Sequence, residues 1–143
     1  MGELKKVITP HINPKDCWNL VLARVSGEDY HDIREKMFKN SYADENGLHG
    51  HLTNKVLMQY GFGGVHLGAL PIKEPSVRDI LIAFYNYEIV IGSFDNESML
   101  YHLSYAYKGI EYTTLESELS YENKVYFVWI RYPSQFIGRI NYN

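Results

Sequence analysis

The chain contains one cysteine, Cys17, in the stretch NPKDCWNLVLARVSG, and it follows Asp16, a residue suited to cap the start of a helix. The thiolate is the nucleophilic form of cysteine, and the unpaired N–H groups and dipole of a helix N-terminus stabilise it. Acyl chemistry at such a thiol needs a base within hydrogen-bond reach and a donor for the oxyanion formed at the attacked carbonyl. His102 is the candidate base. It lies in LYHLSYAY, where a period of two puts His102, Ser104 and Ala106 on one strand face and Tyr101, Leu103, Tyr105 and Tyr107 on the other. The small residues beside His102 predict room for the helix bearing Cys17. Asn13, an amide shortly before Cys17, is the candidate oxyanion donor together with the Cys17 backbone N–H. A lone cysteine in an apolar helix is more often a packing residue, and it is the helix-start position combined with a histidine strand that reverses this reading.

These residues need elements to position them. Trp18, Val21, Leu22 and Val25 recur at helical spacing until Ser26-Gly27 ends the run, and a second helix is predicted over 28–39 with Tyr30, Ile33 and Met37 on one face. The polar stretch 40–50 reads as a loop, 53–60 as a short helix stopped by Gly61, and GFGGVHLGALPIKEP as a connector with one strand near Val65. Ser76 and Asp79 have capping-box spacing, which predicts a helix over 77–85. Beyond it EIVIGSF, LYHLSYAY, IEYTT and VYFVWIRY are β-branched and aromatic, as strands are. The order predicts one α+β domain over 1–143, with N-terminal helices followed by an antiparallel sheet that packs on the first helix. Its core is expected at about 13–133, with a tail at 134–143 that is an edge strand or disordered.

Composition excludes several classes. A net charge of −3 from interspersed charges leaves no basic stripe, so no nucleic-acid partner is expected. The N-terminal residues lack an apolar run fit for a signal peptide or membrane span, and one cysteine cannot form an internal disulfide, which points to the cytoplasm. His49 and His51, near Asp44 and Glu45, lack a second ligand pair, and the glycines from Gly61 to Gly64 lack the Lys-Ser/Thr of a phosphate loop. The thirteen tyrosines suit a half-buried sheet or a contact surface.

The stretch NPKDCWNLVLARVSGEDYHDIREKMF resembles the opening of small papain-like cysteine peptidase domains, often phage-encoded. They read as Asn, Asp-Cys, a short apolar helix, Gly, then Tyr at a second helix. The stretch YHLSYAYKGIEYTTLESELSYENKVYFVWIRYP is similar to the family's histidine strand, glycine turn, orienting strand and final Trp-bearing strand. Both halves stand in family order, and the sequence Cys, His, polar orienter is that of the papain-like superfamily, including bacteriocin-processing peptidases. The resemblance implies a papain-like fold with a Cys17 nucleophile and a His102 base. It also implies an orienter at Thr113, where the family usually has Asp or Asn. Threonine accepts a hydrogen bond from imidazole without supplying charge; Glu111, on the same strand face, and Glu116, in the following turn, are the alternatives. Leu20 and Val21 stand where the family usually has Arg-Ala. The implied activity is hydrolysis of a peptide, isopeptide or related amide bond with no metal or organic cofactor. The missing Asp or Asn and the tyrosine content carry a second reading, a papain-like scaffold without turnover that binds a protein partner, such as a viral factor engaging a host protein.

Overall fold

In the computed structural model, which describes residues 3–132, four helices and a six-stranded mixed sheet form an α+β fold. The stripe Trp18, Val21, Leu22 and Val25 is the buried face of α1 (Cys17–Ser26). Gly27, at φ 72°, ends α1 in the left-handed conformation that a β-carbon disfavours, and its N–H reaches the Ala23 carbonyl. Helix α2 (Tyr30–Lys39) starts later than the spacing predicts because Asp29 caps it, accepting from the His31 and Asp32 N–H groups. Helix α3 spans Thr53–Gln59, and α4 (Val77–Ala83) carries the expected capping box of Ser76 and Asp79.

The sheet strands are β1 (Lys5–Ile8), β4 (Phe62–Gly64), β5 (Ile89–Asp95), β6 (Leu100–Tyr107), β7 (Ile110–Thr113) and β8 (Val125–Arg131), in the order β1-β7-β6-β5-β8-β4. Strands β2 (Ala43–Asp44) and β3 (Gly47–Leu48) make a small hairpin inside the stretch expected to be loop. Four of the five neighbouring pairs in the sheet are antiparallel, but β1 runs parallel to β7, pairing Lys5 with Ile110 and Ile8 with Thr113. The expected purely antiparallel sheet following the helices is therefore corrected to a mixed one, and one of its strands, β1, lies ahead of the helices. A run as short as KKVI carries too little periodicity to be read as a strand; its pairing is set by the free edge of distant β7. The strand expected near Val65 lies just before it as β4, although the Val65 N–H still reaches the Val128 carbonyl at 2.8 Å. The expected tail at 134–143 lies outside the described residues.

Two apolar clusters sandwich the sheet. On one face the α1 stripe meets Ile33, Met37, Val56 and Leu57 of the neighbouring helices and Val90, Tyr105 and Trp129 of the sheet, with Leu103 packed against them. On the other, Val77, Ile80 and Leu81 of α4 meet Ile89, Ile91, Ala106 and Val128. Helix α1 thus covers the Leu103 and Tyr105 face of β6, and the expectation that it would cover the His102, Ser104 and Ala106 face is corrected. Packing on Leu103 and Tyr105 removes more apolar area from water, whereas His102 and Ser104 need polar partners when buried.

Candidate functional site

The start of α1 is organised around Asp16. It occupies the cap position but makes no side-chain bond to the helix. A positive φ of 58° at Lys15 turns the preceding loop back, and the carboxylate accepts from the Ile12 N–H at 3.1 Å and the Asn13 N–H at 2.8 Å. The Tyr30 hydroxyl donates to it as well, and His11 Nδ1 meets its other oxygen. Burial pushes this carboxyl up, but the bonds from Tyr30, Asn13, His11 and Ile12 outweigh it and hold Asp16 below the ordinary carboxylate range. Asn13, the expected oxyanion donor, gives its side-chain N–H to Tyr30 Oη at 2.9 Å. Removing the hydroxyl in Tyr30→Phe takes a bond from a buried carboxylate and an acceptor from Asn13, and is expected to cost about 2 kcal/mol in chemical denaturation.

Cys17 is the first residue of α1, and its sulfur lies by the backbone N–H groups of Leu103 and Trp18. Burial pushes the thiol above its ordinary value, and the Asp16 charge adds to this, while those N–H groups work against it. Thr9, Arg24, Leu103, Tyr112 and Thr114 line a cavity of about 20 Å³ beside it, room for about one water molecule. The helix-start position is as the spacing predicts. The expected lowering of the thiol is not found, because burial outweighs the helix terminus.

His102 pairs with Ser93 across the β5–β6 ladder and is 6 % exposed. Its Nε2 lies 2.8 Å from Thr113 Oγ1, which also accepts the Leu115 N–H at 3.1 Å. When Nε2 donates to Thr113, Nδ1 carries the lone pair that a base requires. Burial holds the imidazole down to about 4; the Asp95 charge opposes this, and the His11 and Lys6 charges reinforce it. Among the described residues no hydrogen bond joins the Cys17 thiol to the His102 ring. The thiol instead abuts the peptide that follows His102, through the Leu103 N–H.

Glu111 is on the same sheet face as His102 and Thr113, but its carboxylate is engaged elsewhere. Oε1 meets Lys6 Nζ at 3.2 Å, Oε2 accepts the Ser104 hydroxyl at 2.7 Å, and Lys6 also contacts Ser120 Oγ. Of the three expected orienters, Thr113, Glu111 and Glu116, Thr113 is the one hydrogen-bonded to His102. Sequence reasoning missed Lys6, Ser104 and Ser120 as members of this buried polar row, and missed His11. Lys6 arrives through the parallel strand β1. The signal for His11 was its position just upstream of the Asp-Cys pair. Among the described residues no group of three or more His, Cys, Asp or Glu residues is placed to hold a metal ion, and no helix is long and apolar enough to cross a membrane.

The site is thus a helix-start thiol, a strand imidazole with a hydroxyl partner, and an Asp–His–Tyr cluster in which Asp16 and Tyr30 are buried and His11 is exposed, carried on an α+β fold. No protein-family model matches the chain, and neither the curated proteins nor the solved structures contain a match to it.

Proposed function

We propose that the chain is a papain-like thiol hydrolase acting on a peptide, isopeptide or related amide bond. The observation that carries the reading is the 2.8 Å contact of His102 Nε2 with Thr113 Oγ1, which leaves Nδ1 as the basic nitrogen when Nε2 is the donor, on a strand whose next peptide N–H abuts the Cys17 sulfur. With both groups neutral at rest, His102 acts as a general base: it takes the thiol proton as sulfur attacks the carbonyl carbon, then returns it to the leaving amine. The Cys17 N–H at the open end of α1 stabilises the oxyanion, joined by Asn13 once its amide leaves Tyr30. Thr113 orients the ring, and Glu111 supports the strand through Ser104 and Lys6.

A second reading, a papain-like scaffold that binds a protein partner without turnover, is favoured by two observations. The thiol is raised and the imidazole lowered, so they form no ion pair at rest. Tyr101, Tyr126 and Phe127 are also exposed, and Tyr101 and Tyr126 make an edge-on ring contact, a composition suited to protein contact.

Alkylation of Cys17 by iodoacetamide separates the two. The hydrolase reading expects folded protein to react at pH 7 and His102→Ala to react more slowly by about tenfold or more. Equal rates in both proteins, or reaction in neither until unfolding, sink that reading and leave the binding one.

A further inference from the structure

Asp16 directly precedes the nucleophile, its side chain is 2 % exposed, and three of its four hydrogen-bond partners, the Ile12 N–H, the Asn13 N–H and the Tyr30 hydroxyl, are neutral. The fourth, His11, is the one among them that can carry a positive charge, and its side chain is 43 % exposed. A buried negative charge next to a thiol opposes its ionisation, and a cation paired with that charge cancels the opposition. We propose that His11 is the counter-charge of the Cys17 nucleophile: paired as a cation through Nδ1 with Asp16, it offsets the Asp16 charge that opposes loss of the proton from the neighbouring thiol.

The inference rests on the hydrolase reading, and it makes His11 a positioning residue for charge, with Cys17 and His102 still performing the chemistry. The titratable groups around the pair are Tyr30 from α2, Cys17 at the start of α1 and His102 from β6, the last with Asp95 and Lys6 near it. A positive His11 also favours neutral His102, the form that accepts a proton. Both effects of the one cation therefore favour attack by sulfur.

The test is the pH profile of Cys17 alkylation by iodoacetamide in the full chain, compared with His11→Gln and His11→Lys. His11→Gln, at an exposed position, is expected to fold and to slow alkylation at pH 7 by about three- to tenfold, the equivalent of a shift of about half to one pH unit in the thiol's ionisation. His11→Lys retains the cation and is expected to keep at least the native rate at pH 7 and above. A His11→Gln profile superimposable on the native one overturns the proposal, and if His102→Ala still slows the reaction the hydrolase reading stands without it. A His11→Lys protein as slow as His11→Gln also overturns it, since the histidine then acts through its shape and hydrogen bond. A native thiol inert in the folded chain overturns both.

Discussion

Lys6→Met is expected to destabilise the fold by about 3–5 kcal/mol, the cost of leaving one member of a buried ion pair without its partner. The side chains of Lys6 and Glu111 are 5 % and 3 % exposed, so water cannot take the place of the ammonium group. In the variant the Glu111 carboxylate retains the Ser104 hydroxyl, and Ser120 loses its contact with the amine. Urea denaturation of the native chain and variant measures the loss. The double variant Lys6→Met/Glu111→Gln removes the stranded charge and should recover most of it, because the penalty belongs to the unpaired carboxylate more than to the missing attraction. A single variant less than about 1 kcal/mol below native would mean that the pair is hydrated in solution. The consequence reaches the site: Glu111 and Thr113 share β7, so loosening β1 from that strand also loosens the residue hydrogen-bonded to His102.

The second large effect is a loss of stability in mild acid that originates at His102. Its folded-state value is depressed to about 4, against about 6.5 when unfolded, so between these values the unfolded chain binds a proton that the folded chain refuses. Stability from this group is fully present above pH 6.5 and declines as pH falls toward about 4, by about 3 kcal/mol in all. Asp16 and Asp95 are held below the ordinary carboxylate range, and their contribution is lost at lower pH, which separates the two windows. His102→Gln keeps an amide able to reach Thr113 but cannot bind the proton. Denaturation midpoints between pH 4 and 7 should therefore fall in the native chain and stay nearly level in the variant; parallel curves would show that His102 titrates normally in the folded state.

Much of the architecture was legible because local rules and tertiary demands agreed. The α1 stripe, the Gly27 stop, the Ser76–Asp79 capping box and the alternating segments that became β5 to β8 each state their element within a few residues. Alternation also put Thr113 and Glu111 on one face of their strand, and His102, Ser104 and Ala106 on one face of theirs; the β6–β7 register, with Ala106 opposite Glu111, brings the two sets onto the same sheet face. What alternation cannot state is which face a helix will cover. The small residues beside His102 suggested that α1 would lie there, but the larger apolar area of Leu103, Tyr105, Val90 and Trp129 drew it to the opposite face.

The same division holds at the start of α1. Sequence alone placed Cys17 at a helix terminus and Asp16 at its cap, because both follow from neighbours in the chain. Whether the Asp16 carboxylate turns forward to the helix or back to the loop depended on Tyr30 arriving from α2 and on the turn at Lys15, so the tertiary structure decided it. The fate of Glu111 was likewise decided by Lys6, which reaches it from β1 across a parallel ladder. The state of the thiol followed the same rule: the helix dipole is a local effect that sequence reveals, while desolvation is the sum of everything packed around the sulfur, and that sum exists only in the folded chain.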